Sequence, residues 1–309
     1  MEVSIVVPVY NEEDNIALLH KEINDTCERC EYKYEIIFVD DGSSDKTYQI
    51  VKTLKPLRFM RMRRNFGQTA AMDAGIKAAR FPYIITMDGD RQNDPEDIPK
   101  ILEYLLEHDL DVVSGWRKNR KDTFLKRFTS RGANLLRSII INDHIHDSGC
   151  SLKAYKKECF NGVNLYGEMH RFIPALLIIK GYRVGEVIVN HRPRVAGVTK
   201  YNWKRTIKGF IDMIAVWFWH KYAVRPLHLL GGAGIASLFM GGIFAAWSII
   251  LFLLGEDLSD NFQPILTVTF ILCGIILFVC GLMCDVLCRI YYGSAIDSAY
   301  SIMEEFENE

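Results

Sequence analysis

The chain has 309 residues, and its 37 Lys and Arg nearly balance 38 Asp and Glu, for a formal net charge of −1. Near-neutral bulk charge carries no electrostatic footprint of a nucleic-acid binder. The length suits one large domain or two smaller ones.

The first expected element is a strand over 3–9, which follows Met1 directly, so no secretory leader is expected there. It ends in Pro8-Val9-Tyr10-Asn11-Glu12-Glu13. A helix is expected over 15–30, where Ile16, Leu19 and Ile23 fall near a helical period. Cys27 and Cys30 have a metal-like spacing but no second pair, so no zinc site is expected, and thiols in a reducing cytoplasm stay unbridged. A second strand over 35–39 runs into Asp40-Asp41-Gly42-Ser43-Ser44-Asp45, and Ser44 or Asp45 can cap a helix over 46–54. Further elements are expected as a strand over 57–61, a small-residue helix over 68–79, a strand over 83–87, a helix over 95–108 and a strand over 111–115.

Repeated strand–helix units imply an α/β fold with a doubly wound, mostly parallel, Rossmann-like sheet and a ligand crevice at the strand C-terminal ends. Three strand ends carry polar clusters, and the topology brings them to that crevice. The third, Asp88-Gly89-Asp90 with Gln92 just beyond, closes the apolar run Tyr83-Ile84-Ile85-Thr86-Met87. Two carboxylates with an amide oxygen nearby suit a hard divalent ion, Mg²⁺ or Mn²⁺, shared with substrate phosphates. No glycine-rich phosphate loop is present, so phosphate charge is expected to be met by metal and basic side chains rather than by a NAD-binding or P-loop site.

Further along, Trp203, Ile207, Phe210, Ile214 and Trp217 recur at helical spacing beside Lys204, Arg205 and Lys208. This predicts an amphipathic helix lying in a membrane interface, with the crevice beside the bilayer. Two long apolar stretches follow, over 227–254 and 264–288, each long enough to cross a hydrocarbon core of about 30 Å. Lys and Arg flank the pair, while the connecting loop holds Glu256, Asp257 and Asp260 and no basic residue. The positive-inside rule then sets both termini in the cytoplasm and the loop outside. The expected parts are a catalytic domain over 1–200, interfacial helices over 201–226, two spans over 227–289 and a cytoplasmic tail over 290–309.

Taken in order, the segments from Pro8 to Glu13 and from Asp40 to Asp45, then Arg64-Asn65-Phe66-Gly67, then Asp88-Gly89-Asp90-Arg91-Gln92-Asn93-Asp94-Pro95, resemble the inverting family 2 glycosyltransferases. The likeness is strongest to their membrane-anchored polyprenyl-phosphate branch. It implies a GT-A-type sheet, a nucleoside-diphosphate-sugar donor, a dolichyl or undecaprenyl phosphate acceptor and a single metal-dependent inverting transfer. By the same resemblance Pro8, Tyr10, Glu12 and Asp40 line the nucleoside pocket with Asp41 close by. Asp88 faces the donor's sugar or ribose, and Asp90 and Gln92 hold the metal. Arg117, Lys126, Arg127, Ser130 and Arg131 are the candidates for the acceptor phosphate, which Arg suits by its forked geometry. Asp147, in His146-Asp147-Ser148-Gly149-Cys150, is either a general base or a positioner of the acceptor. Arg194 and Lys200 belong to a basic loop that closes over the diphosphate. The Gln-x-x-Arg-Trp signature of processive synthases is missing, which favours one transfer over polymerisation. Two alternatives stay open at this point: transfer to another lipid such as diacylglycerol or ceramide, and a silent adaptor that binds sugar nucleotide. The sequence leaves room for a homo-oligomer and does not name the sugar.

Overall fold

In a computed structural model, the residues described are 1–118, 145–167, 169–193, 218, 221–222, 225–255, 257 and 261–293. Contacts divide the chain into two compact units, Met1–Val216 and Trp217–Glu309.

The first unit is built on a seven-stranded sheet in the order β3-β2-β1-β4-β6-β5-β7. Its strands are β1 (Glu2–Val9), β2 (Lys33–Asp40), β3 (Arg58–Arg61), β4 (Tyr83–Thr86), β5 (Val112–Trp116), β6 (Lys153–Lys156) and β7 (Val184–Ile188). Every neighbouring pair is parallel except those made by β6, which runs antiparallel to both β4 and β5. β1 and β2 read as near-continuous apolar runs because both faces of the sheet are covered. On one face Val3, Ile5, Val7, Phe38 and Ile85 pack with Ile16, Leu19 and Ile23 of α1 (Ile16–Arg29) and Leu102 and Leu105 of α4 (Ile98–Glu107). On the other, Val6, Ile37, Val39 and Ile84 meet Ala71, Met72 and Ile76 of α3 (Gln68–Ala78) and Leu177 of α5 (Ile173–Ile179).

The expected strands and helices up to residue 115 are present, with shifted ends. The helix expected over 46–54 contracts to α2 (Thr47–Val51). An α-helix begun at 95 would need an amide hydrogen from Pro99 for the Pro95 carbonyl; lacking it, the helix opens as a 3-10 turn, Pro95–Asp97, in which the Ile98 amide bonds that carbonyl and Asp94 accepts from the Glu96 amide at 3.1 Å. The two strands the sequence reading lacked are β6 and β7. β6 is four residues long with a lysine at each end, and β7 is a half-buried edge, so neither carries a strong apolar period.

The second unit holds α6 (Pro226–Leu253) and α7 (Gln263–Gly293), both long and apolar enough to cross a membrane. Their apolar side chains face mostly outward, as in Phe239, Ile249, Phe252, Ile265 and Leu287. The helices meet along small residues. A Cβ on Gly234 would lie 2.8 Å from the Gly274 carbonyl oxygen, and one on Gly281 would lie 3.0 Å from the Gly231 nitrogen. Ser237 Oγ donates to the Phe270 carbonyl at 2.7 Å. Close backbone approach with interhelical polar contacts is how helices associate where hydrophobic burial gives no driving force. The expected interfacial helices fall almost wholly outside the described residues, as does most of the tail.

Candidate active site

The loops after β1 and β2 hold each other in place. Asn11, with φ 53, accepts from the Ser44 amide at 2.9 Å, while its own amide donates to Ser43 Oγ at 2.8 Å. The Glu12 amide donates to Thr47 Oγ1 at 3.0 Å and the Glu13 amide to Asp45 Oδ2 at 3.2 Å. Asp45 Oδ1 also accepts from the Thr47 amide at 3.0 Å, but the cap position falls on Lys46, which makes no side-chain cap bond, so neither Ser44 nor Asp45 is the expected N-cap. Gly42 sits at φ 76, and a Cβ there would lie 2.7 Å from the Arg64 carbonyl carbon, so only glycine lets the 64–67 loop come this close. Pro8 is buried, and Tyr10 and Glu12 are half-buried at this edge.

The two acids after β2 have different tasks. Asp40 is fully buried; one carboxylate oxygen accepts from the Ser43 amide at 2.8 Å, and the other lies 3.2 Å from Arg61 Nε with no aligned hydrogen bond. Asp41 is engaged on both oxygens, by the Phe66 amide at 2.6 Å and the Gly67 amide at 2.9 Å. It shapes the loop that leads into α3, with its carboxylate turned into the protein at 3% exposure.

Gly89 brings the end of β4 against the end of β1; a Cβ on it would lie 3.3 Å from the Pro8 carbonyl oxygen and 3.6 Å from Glu12 Cγ. Asp88 is half-buried and accepts from Gln68 Nε2 at 2.7 Å. Burial, then the charge of Asp90, raises its pKa, against the opposing pull of Ser151, Arg117 and Lys153. Asp90 is 9% exposed and accepts from the Gln92 amide at 3.1 Å. Arg91 between them takes φ 59 and pairs with Glu22, and this kink puts Asp90 and Gln92 on one tight turn. The turn is tied down further: the Arg192 amide donates to the Gln92 carbonyl at 2.9 Å, and its guanidinium reaches Asp94 at 2.6 Å and Glu22 at 2.8 Å.

Asp88 and Asp90 are thus like charges in a poorly solvated place, a pairing that a cation relieves. Their hard oxygens, with the Gln92 amide, fit Mg²⁺ or Mn²⁺ as donor atoms. Among the described residues no group of three His, Cys, Asp or Glu converges, so an ion here would take further oxygens from a ligand.

On the other side of the crevice Arg117 grips Asp147 in a fork, Nε to Oδ2 at 2.7 Å and Nη2 to Oδ1 at 3.0 Å. Burial works against the Arg117 charge, but the hydrogen bonds and charge of Asp147 outweigh it and hold the guanidinium pKa above its ordinary value. Glu186 of β7 holds the same loop through the Asp147 amide at 3.0 Å and His146 Nδ1 at 2.7 Å, and the His146 ring stacks on Trp116 with centroids 4.3 Å apart. The fork holds the Asp147 carboxylate in one orientation.

Lys126, Arg127, Ser130 and Arg131, and likewise Arg194 and Lys200, lie outside the described residues. The structure brings together Pro8, Glu12, Asp88 and Asp90 at the β1–β4 edge and Arg117 with Asp147 at the β5 edge. Sequence reasoning missed Gln68, Ser151, Lys153 and Glu186. Lys153 and Ser151 arrive because β6 is reversed, which carries its N-terminal end to the edge where the parallel strands end. The signal for them was the alternation Leu152 and Ala154 on one face against Lys153 and Tyr155 on the other.

The family model described as "Glycosyl transferase family 2" matches residues 4–163. The chain belongs to that family. It is therefore a glycosyltransferase. It is 38% identical over 321 residues, covering 100% of this chain and 94% of the relative, to a dodecaprenyl-phosphate galacturonate synthase of Rhizobium johnstonii. It is 33% identical over 296 residues, covering 94% of this chain and 86% of the relative, to an undecaprenyl-phosphate 4-deoxy-4-formamido-L-arabinose transferase of Pseudomonas syringae pv. syringae. Among solved structures, a mannosyl-3-phosphoglycerate synthase from Rubrobacter xylanophilus is similar with TM-score 0.56 and 16% identity, over 70% of this chain and 73% of that one. The Mycobacterium tuberculosis glucosyl-3-phosphoglycerate synthase, in complex with Mn²⁺, UDP-glucose and phosphoglyceric acid, gives TM-score 0.52 and 16% identity over 71% and 79%. At such identity these two show the fold alone, a mixed and mostly parallel GT-A-type sheet.

Proposed function

We propose that this chain moves one sugar from a nucleoside-diphosphate sugar to the phosphate of a membrane polyprenyl lipid, with inversion at the anomeric carbon. The observation that carries the reading is the likeness to a polyprenyl-phosphate sugar synthase along the whole chain, the two apolar helices included. Transfer to diacylglycerol or ceramide, or a silent adaptor, finds no support among the named relatives.

In this reading the clamped β1–β2 loops form the floor for the nucleoside, and the Asp40 carboxylate, paired with Arg61, accepts from a base N–H. Asp88, steadied by Gln68, faces the sugar. Asp90 and Gln92 would hold Mg²⁺ or Mn²⁺, which when bound neutralises charge on the departing diphosphate. A phosphate monoester has a second pKa near 6, so the acceptor oxygen is already anionic at pH 7 and needs orientation more than deprotonation. Arg117 and Asp147 supply that orientation as one rigid unit. A phosphate oxygen bonds to the anomeric carbon, and the bond from that carbon to the diphosphate oxygen breaks. Arg194 and Lys200 are proposed to cover the diphosphate. The excess of Lys and Arg around the two apolar helices, against the acidic loop between them, supports a cytoplasmic crevice.

The test incubates purified full-length chain with polyprenyl phosphate, Mg²⁺ or Mn²⁺ and a panel of nucleotide sugars, the nucleotide form of galacturonate first. One class of donor is expected to yield a single-sugar lipid product. No product from any donor, or sugar found on diacylglycerol instead, contradicts the reading.

A further inference from the structure

Lys153 is a buried cation at the crevice to which the proposed reaction gives no task. It lies on β6 directly opposite Thr86 of β4 and Ser114 of β5, and it is 2% exposed. An ammonium has three N–H donors. Among the described residues it reaches one acceptor, the Ser148 carbonyl at 3.3 Å, and no carboxylate lies within ion-pairing distance. Asp147 and Asp88 act on it only at longer range. Asp147 is taken by Arg117 and Asp88 accepts from Gln68, so neither is turned wholly to the lysine. On the same face of the sheet, Ser114 Oγ is buried without a hydrogen-bond partner among the described residues.

A buried cation with unused donors is expensive. Apolar residues on this face include Ile84, Val112 and Leu177, and a leucine or methionine at 153 would join them at lower cost. The lysine therefore reads as a group awaiting an anion. Arg117 engages Asp147 through Nε and Nη2, which leaves Nη1 for another acceptor. The anions that the proposed reaction brings to this crevice are phosphates, so the inference rests on that reading.

We propose that the Lys153 ammonium and the outer edge of the Arg117 guanidinium form a subsite for a phosphoryl oxygen of a substrate. The shared chemistry is a phosphate oxygen from either the lipid monoester or the donor diphosphate. Burial draws the Lys153 pKa down to about 8 against the pull of Cys150, Asp147 and Asp88, with Arg117 adding to the lowering, so its charge is sensitive to mildly alkaline pH. Arginine at the same position would keep its charge throughout.

The test measures initial rates of the full-length chain, Lys153→Met and Lys153→Arg, varying polyprenyl phosphate and nucleotide sugar in turn from pH 7 to 9.5. The expected result is a KM for one phosphate substrate raised about tenfold or more in Lys153→Met and within about threefold of wild type in Lys153→Arg. In wild type that KM climbs above pH 8; in Lys153→Arg it stays level. A change confined to the lipid seats the acceptor there, and one confined to the nucleotide sugar seats the donor. If Lys153→Met fails to fold, the pH dependence of Lys153→Arg against wild type decides. KM values for both substrates that neither variant nor pH moves, whatever happens to kcat or thermal midpoint, overturn the proposal. Wild type without product from any donor is the separate failure of the functional reading.

Discussion

The two sides of the crevice handle charge in opposite ways. At the β1–β4 edge Asp88 and Asp90 stand together, and burial with mutual repulsion raises the Asp88 pKa. At the β5–β6 edge the acid Asp147 is closed off by a forked Arg117. A close pair of acids is a place for a cation, whereas a neutralised acid–base pair is a fixed shape. The difference assigns electrostatics to the first edge and geometry to the second.

The sharpest way to break this comparison is to remove its charged pole. Asp90→Ala is expected to lower kcat/KM by about a thousandfold, the scale of losing a preorganised transition-state charge partner, as read in steady-state assays with saturating Mg²⁺. Retained activity would place the cation, if any, elsewhere. On the geometric edge Asp147→Asn is expected to cost about ten- to a hundredfold in kcat while leaving the shape of the pH–rate profile unchanged. Loss of the acidic limb of that profile would restore Asp147 as a base. Arg117→Ala should cost more than Asp147→Asn, because it strands a partly buried carboxylate.

Asp41→Ala tests whether the inward-facing acid shapes the nucleoside floor from behind. It frees the Phe66 and Gly67 amides, and donor KM is expected to rise about tenfold with a thermal midpoint lower by a few degrees. The pH dependence of stability is a smaller effect. A lysine whose pKa is near 8 when folded and ordinary when unfolded binds fewer protons in the folded state between those values. The thermal midpoint in detergent should therefore gain with rising pH from about 8 toward 10.5, and Lys153→Met should flatten that gain. Asp88, Arg117, Asp147 and Cys150 face this lysine and are retained in the variant. The smallest effect is expected from Glu186→Gln, which weakens but keeps contacts to the exposed His146; activity should fall only a few fold.

The same division marks what the sequence made readable. β1, β2 and β4 are buried on both faces and end abruptly in polar residues, so apolar runs located them and their ends located Pro8, Glu12, Asp40, Asp88 and Asp90. That Asp41 turns onto the Phe66 and Gly67 amides while Asp40 pairs with Arg61 depends on where the 61–67 segment passes, a tertiary fact that no local pattern encodes. β6 is too short to announce itself, and its reversal is a matter of topology, so Ser151 and Lys153 entered the site unforeseen. Glu186 was missed for the same reason, since β7 is a weak edge whose value lies in what it touches. The apolar helices were legible because length and lack of charge suffice to find them.

The central claim is that the acids ending β4 take the donor's diphosphate through a divalent ion. Calorimetric titration of the nucleotide sugar into the full-length chain, with Mn²⁺ and with EDTA, tests it most directly. The account predicts binding with Mn²⁺ that weakens at least tenfold in EDTA or in Asp90→Ala. Equal affinity with and without the ion, in wild type and variant alike, contradicts it.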